Sequence, residues 1–509
     1  MKLRLSMMAL ALLSQAGQGL AAEAPASKEA LFDLGPEPEA AAAPKPGPAL
    51  PASREALFAD EPADAKPGAP TQGVPDARQA DALPASREAL FEEAPALPKA
   101  GAQAAVPRQD TGQVRGTLQM EAARTYASPA HWSKALGRLE LGTQGKLQGG
   151  GAWKVSGRVD YNAVFERSDF YQPQVEDDQR AEFHVRETYL DFSAGGWEWR
   201  LGRQHIVWGE LVGMFLADVV SAKDMREFIL PDFQVMRIPQ WAARAEYFAD
   251  DYYAELVWIP FPSYDEIGRP ANFAAPGSGA DFYPYPPVPG VPVFLKEDKP
   301  ATGLDHTNFG ARVSRLKDGW DVSGFYYTSM NSSASYHRVA LNTYQPRHDR
   351  IWQLGGSVAK DLGPMVMKAE AVYTQGRRLN LTTTGEDVKQ PMLDWAVGLD
   401  FNPDGDTRVN TQFFQSLILD HNPNVLPDRA ESGVSLYVSR ALPNKWRAEL
   451  LLMHSLNRSD WLVRPKASWG FRPNWKLTLG VDVFGGPDTG FFGQYDHRDR
   501  AYAEVRYDF

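Results

Sequence analysis

From residue 112 to the end, apolar and polar residues alternate with a period of two. That is the pattern of strands with one face in an apolar medium and the other in a polar one, not the spacing of a helix. The last segment shows it plainly: Ala501, Ala503, Val505, Tyr507 and Phe509 alternate with Tyr502, Glu504, Arg506 and Asp508. Trp153, Val155, Val159 and Tyr161 interleave in the same way with Lys154, Ser156, Arg158 and Asp160. So do Trp475, Leu477, Leu479, Val481 and Val483 with Lys476, Thr478 and Asp482, and Trp461, Val463, Ala467 and Trp469 with Arg464, Lys466 and Ser468. A polar face this rich in charge does not suit the inside of a soluble sandwich. It suits a barrel whose outside meets lipid and whose inside lines a wet lumen.

Strands are predicted near 113–124, 136–147, 152–166, 181–194, 197–207, 240–249, 252–260, 307–316 and 319–329, then near 350–360, 364–374, 391–401, 406–417, 432–440, 445–456, 459–472, 474–485 and 499–509. The count is eighteen, with sixteen as the alternative. Starting from a periplasmic N-terminus, every even connection should be a tight turn. These read Gly149-Gly150-Gly151, Ala194-Gly195-Gly196, Ala249-Asp250-Asp251, Lys317-Asp318-Gly319, Asp361-Leu362-Gly363, Pro403-Asp404-Gly405, Leu442-Pro443-Asn444 and Arg472-Pro473-Asn474, all turn-rich. The odd connections are long, apart from a brief one around Asn457. The expected fold is therefore all-β: a transmembrane antiparallel β-barrel over 112–509, in contact with outer-membrane lipid.

Two segments precede it. Residues 1–21 have a basic start (Lys2, Arg4), an apolar run from Leu5 to Leu13 and small residues at Gly19, Ala21 and Ala22, which reads as a secretory signal peptide. Residues 22–111 are rich in Ala and Pro and almost free of β-branched and aromatic residues. Such a chain cannot bury enough surface to offset its conformational entropy, so a disordered periplasmic segment is expected. Within it one phrase recurs three times, beginning at Pro25, Pro51 and Pro84: Pro-Ala-Ser-(Lys/Arg)-Glu-Ala-Leu-Phe. Each copy offers a Ser that can cap a helical turn, a Glu in the first turn, and an apolar pair: Leu31-Phe32, Leu57-Phe58 and Leu90-Phe91. One turn of helix is unstable alone and would form only on a partner. The repeats are read as docking motifs for a periplasmic protein, weak singly and stronger together, against the alternative of a duplicated linker with no role.

Composition narrows the chemistry. Beyond the N-terminus no apolar stretch approaches the about 18 residues of a spanning helix. A net charge of −11 argues against nucleic acid as a partner. The absence of Cys removes disulfides and thiolate metal sites. The nine His form no HExxH, and no Ser/His pair sits in a GxSxG setting. No enzyme activity, metal or cofactor is expected. The carboxylate pairs Asp177-Asp178 and Asp265-Glu266 fall in outer loops, where a solvated surface is the simpler reading.

The informative stretch is Arg200–Pro239. A strand running to Val207 leads into Trp208-Gly209-Glu210 and a long excursion, in which Ser221-Ala222-Lys223-Asp224 looks like a capping box opening a short helix, Asp224–Leu230, stopped by Pro231. Its apolar character suits a loop folded inward near 208–239 that narrows the lumen. Arg203, Glu210, Asp218, Asp224, Arg226 and Glu227 are then the candidate constriction, facing a substrate or bracing the wall as ion pairs. The block Leu201-Gly-Arg-Gln-His-Ile-Val-Trp-Gly-Glu210, with Ala217-Asp-Val-Val220 and Asp224-Met-Arg-Glu-Phe228, resembles the signature of Pseudomonas-type outer-membrane barrels catalogued as a domain of unknown function. The resemblance implies an export or uptake role beside an RND-type exporter. Ser221-Ala222 departs from the pattern that the resemblance implies, in which Asn-Pro is expected.

The loop from Phe261 to Asp305 carries Phe282-Tyr-Pro-Tyr-Pro-Pro-Val-Pro289, an extended aromatic and proline stretch read as an outer lid or mouth. Together these features predict a transport barrel for a hydrophobic or polymeric compound, with a periplasmic partner recruited by the repeats. The alternative is a structural anchor whose tail tethers another machine. Tyr507 and the terminal Phe509, by resemblance to other outer-membrane barrels, look like the signal read by the barrel-assembly machinery.

Overall fold

The computed structural model describes residues 112–148, 150–211, 213–270 and 279–509. The expected signal peptide, the 22–111 segment with Leu31, Phe32, Leu57, Phe58, Leu90 and Phe91, and Gly149 of the first tight turn lie outside the described residues.

One sheet of 18 strands dominates. In chain order these are β1 (Arg115–Thr125), β2 (His131–Lys146), β3 (Ala152–Asn162), β4 (Ala181–Ala194), β5 (Trp197–Gln204), β6 (Gln240–Ala249), β7 (Tyr252–Phe261), β8 (Asn308–Lys317) and β9 (Trp320–Met330). They continue as β10 (Arg350–Asp361), β11 (Met365–Gln375), β12 (Met392–Asp404), β13 (Thr407–Ile418), β14 (Ala430–Leu442), β15 (Trp446–Ser455), β16 (Trp461–Arg472), β17 (Trp475–Gly485) and β18 (Arg500–Asp508). Each strand pairs antiparallel with the next, and β1 closes on β18 from Thr117 opposite Asp508 to Thr125 opposite Arg500. Closure leaves no free sheet edge, which a lipid-exposed sheet cannot tolerate.

The two faces are inverted relative to a soluble protein. Large apolar side chains point outward and stay exposed, among them Met120, Phe183, Leu256, Val313, Leu354 and Leu479. Aromatic rings gather at both strand ends: Trp446 stacks on Trp469 and Trp475 on Tyr507 at one, Trp258 on Phe309 and Trp352 beside Tyr373 at the other. Inside, buried charges pair across neighbouring strands, as in Lys134–Glu121 at 2.9 Å, Arg138–Asp160 at 2.8 Å and Arg244–Glu255 at 2.8 Å. An apolar belt between two aromatic girdles around a polar interior is the construction of an outer-membrane barrel. The protein resides in that membrane.

The tight turns place Asp250, Asp318, Asn444 and Asn474 at positive φ, where short polar side chains are tolerated. Two boundaries differ most from the pattern-based reading. β2 begins at His131, which leaves residues 126–130 as a second brief external connection. β3 ends at Asn162, not near 166, because the Asn162 side chain accepts from the N–H of Val164 and starts a 3-10 turn over Ala163–Glu166. That external loop also carries a short helix, Pro173–Gln179, with Pro at its first position.

Candidate functional site in the barrel lumen

The segment between β5 and β6 enters the lumen and is held to the wall along its length. Ile206 and Trp208 bury first, and the Trp208 ring lies 5.1 Å from Phe325 and 5.8 Å from Tyr327 of β9. Gly310 of β8 permits this approach, since a Cβ there would meet the indole at 2.6 Å. Glu370 of β11 then accepts the backbone N–H groups of Glu210, Leu211 (2.9 Å) and Ala217 (2.9 Å). A non-helical, non-strand backbone carries donors that must be satisfied when buried, and one inward carboxylate satisfies three. The Glu210 carboxylate itself meets Arg312 at 3.4 Å and Ser357 at 3.1 Å.

The segment doubles back through a two-rung ladder in which Ala222 pairs with Ile238 and Lys223 with Arg237, clamped by Asp218–Arg237 at 2.7 Å. Its tip reaches the wall formed by β2, β4, β16 and β18. Arg226 holds Asp224 at 2.6 Å and Glu182 of β4 at 2.6 Å. Glu227 lies 2.7 Å from Lys134 of β2 and 3.1 Å from Arg500 of β18. Arg464 of β16 donates to the carbonyls of Ile229 and Leu230 at 3.2 and 2.7 Å. Phe228 packs among Phe484, Phe491, Phe492 and Tyr495. On the return, Arg186 of β4 donates to Gln234 (2.6 Å) and Arg237 (2.9 Å).

The family model described as "Protein of unknown function (DUF1302)" matches residues 134–415, more than half of the chain, including this whole segment. The chain belongs to the DUF1302 family. No curated protein matches it. Among solved structures, it is similar to Acinetobacter baumannii OccAB3 at 11% identity, covering 78% of this chain and 98% of that one with a TM-score of 0.46. It is also similar to Pseudomonas aeruginosa OpdK with vanillate, at 8% identity, 78% and 98% coverage and a TM-score of 0.44. Salmonella typhi OmpF, in complex with daunomycin, follows at 11% identity, 78% and 97% coverage and 0.38.

In this DUF1302 protein the six constriction candidates do not form one cluster. Glu210 sits against β8 and β10, Asp218 inside the segment's own ladder, and Asp224, Arg226 and Glu227 at the tip. Arg203, near the end of β5, makes no hydrogen bond or ion pair among the described residues, and its buried Nε lacks an acceptor. The helix expected over Asp224–Leu230 does not form. Asp224 instead bridges to Glu266, Phe228 takes a positive φ of 56°, and the Ser221 hydroxyl donates to the Ile206 carbonyl at 2.9 Å. Seven residues cannot hold a helix against a wall that takes up their carbonyls through Arg464.

The partners missed by sequence reasoning are Glu370, Arg186, Glu182, Lys134, Arg464 and Arg500, all inward positions, two of them on neighbouring β4 and the rest on strands farther round the barrel. Their signal is a charge on the polar face of a strand, which many residues share. Asp160, Glu182 and His184 bring ligand atoms within 4.8 Å of one another. Asp160 is already taken by Arg138 and Arg158, and Glu182 by Arg226. A cation there would face three guanidinium groups, so the cluster reads as part of the ion-pair lattice.

The aromatic stretch of the external β7–β8 loop is largely consumed in packing. Phe282 and Tyr283 are buried, Phe282 against Phe484 and Tyr495, and Tyr283 with its hydroxyl 3.0 Å from that of Tyr336. Tyr285 stays exposed.

Proposed function

We propose that this protein is an outer-membrane transport barrel whose lumen is restricted by the inward segment 205–239 and admits only a solute that competes with the segment's contacts to the wall. One observation carries the reading: the segment is bonded to opposite sides of the barrel, to Glu370 of β11 and to Lys134, Arg464 and Arg500 of β2, β16 and β18. Reconstitution in planar bilayers tests it. The native barrel should conduct weakly, and deletion of Asp218–Leu230 should raise conductance severalfold. No conductance from either form sinks the proposal.

The solute is read as a hydrophobic or polymeric compound; with Phe282 and Tyr283 buried, the charged lumen favours one that also carries a polar group. The periplasmic partner remains part of the proposal, supported by the three repeats, with an RND-type exporter as the candidate. Cross-linking from a photoreactive residue at Phe32, Phe58 or Phe91 should capture the partner. The same staples around the segment also favour a second reading, a closed barrel that only anchors the tail. Deleting residues 23–108 separates the two: a transporter keeps its conductance, whereas an anchor loses its whole phenotype.

A further inference from the structure

Between the return limb of the inward segment, the inner wall of β3–β5 and the external β7–β8 loop lies a cavity of about 310 Å3. Arg158, Arg186, Arg203 and Lys299 reach it, with His184 beside them. As a rule an inward arginine of this lumen faces a carboxylate, as Arg138, Arg200, Arg244 and Arg464 do, although among the described residues Arg447 bonds only the Ser439 hydroxyl. Arg186 and Arg203 depart from that rule, since no carboxylate lies within ion-pair distance of either among the described residues. Arg186, only 6% exposed, uses two of its nitrogens on main-chain carbonyls, and its Nε has no acceptor. The buried Nε of Arg203 has none either.

Two carboxylates line the same cavity. Asp224 is committed to Arg226 at 2.6 Å. Burial raises the Glu266 carboxyl above its ordinary value, so it holds its negative charge less firmly than an exposed carboxylate does. Arg158 pairs with Asp160 at 3.1 Å and Lys299 with Glu297 at 3.3 Å, so the cavity's cations without a carboxylate among the described residues are Arg186 and Arg203, which an anion in the cavity would offset.

We propose that this cavity binds a small organic carboxylate, held by Arg186 and Arg203. The planar guanidinium fork matches a carboxylate. The space equals roughly ten waters at about 30 Å3 each, far more than a lone inorganic ion fills. Ile238, Pro239 and Tyr264 supply apolar wall for the rest of the molecule. Because the β7–β8 loop forms part of the lining, the site lies on the extracellular side of the inward segment. This names the solute class of the transport reading and rests on it for its physiological sense. Binding and conductance are measured apart, so either can fail alone.

The test is calorimetric titration of the purified full-length barrel with acetate and benzoate, each beside its neutral amide, for the native protein, Arg203→Gln and Arg186→Gln. At least one carboxylate should bind saturably and at least tenfold more tightly than its amide. Arg203→Gln should weaken it tenfold or more while the barrel keeps its heat-modifiable gel migration, and Arg186→Gln should do the same or worse. The proposal is overturned by equal affinity for the amide, by unchanged binding in Arg203→Gln, or by no saturable binding of either carboxylate at millimolar concentration. Displacement of the carboxylate by equimolar inorganic phosphate overturns the carboxylate assignment in favour of a phosphate-type anion.

Discussion

Glu227, at the tip of the inward segment, lies 3.1 Å from Arg500 on the strand that closes the barrel. Arg500 in turn shares Asp482 with Arg464, at 2.9 and 2.7 Å, and Asp482 is wholly buried. The tip of the loop and the closing seam are therefore one electrostatic unit. Breaking a buried pair by removing one partner costs about 3–5 kcal/mol, because the other charge is left stranded. Asp482→Asn should accordingly lower the temperature at which the detergent-solubilised barrel loses its compact gel mobility. A variant as heat-resistant as the native protein would remove Asp482 from this role.

Glu370 satisfies three buried backbone donors of the inward segment. An unsatisfied buried donor costs about 1–3 kcal/mol, roughly 5- to 150-fold in a local opening equilibrium, and three are at stake here. Glu370→Ala should speed hydrogen exchange at Glu210, Leu211 and Ala217 by at least tenfold while amides of β14 and β15 stay protected. Exchange unchanged at those three positions would show that the wall does not depend on this carboxylate to hold the segment.

The external β7–β8 loop should respond to acid through Glu266. Burial raises its folded-state pKa above the ordinary 4.5, so the folded loop binds a proton more tightly than the unfolded one. Its packing contribution is then fully present below pH 4.5 and is lost as pH rises through the folded value. Hydrogen exchange across residues 262–270, corrected for intrinsic rates, should show protection falling over that window in the native protein. Glu266→Gln, which mimics the protonated form, should flatten the dependence, and an identical slope in the variant would exclude Glu266 as its source.

Phe509 pairs through its backbone with Gly116, at 2.9 and 2.8 Å, while its ring stays half exposed beside Tyr507. A girdle residue of this kind contributes little burial, about 1 kcal/mol at half exposure. If the ring is instead read by the assembly machinery, Phe509→Ala should cut outer-membrane levels severalfold, while the folded fraction keeps its heat resistance. Normal levels from a chromosomal copy would assign it to the girdle alone.

The strands were legible because their signals are local. Alternation along β18 from Ala501 to Phe509, and turn residues such as Asp318-Gly319 and Pro473-Asn474, specify where a strand runs and which face is wet without reference to the rest of the chain. The entry of the 208–239 stretch could be suspected from its apolar residues, but its internal form could not. Local pattern favoured a helix at Asp224–Leu230, and tertiary bonds from Arg464 and Glu266 outweighed a helix of only two turns. Lid aromatics that read as a mouth, Phe282 and Tyr283, are buried for the same reason.

The sequence by itself determined the closed, antiparallel barrel, its charged interior and its apolar outside, since period two and turn chemistry act over a few residues. Only the tertiary structure decided which charges meet. Glu370 finds Ala217 across 153 positions, and Arg500 finds Glu227 across 273. Arg186 and Arg203 are left at the edge of a cavity without a carboxylate among the described residues. Those outcomes depend on the barrel closing first, because closure brings inward faces from distant strands within a few ångströms of one loop, and no short-range pattern encodes that distance.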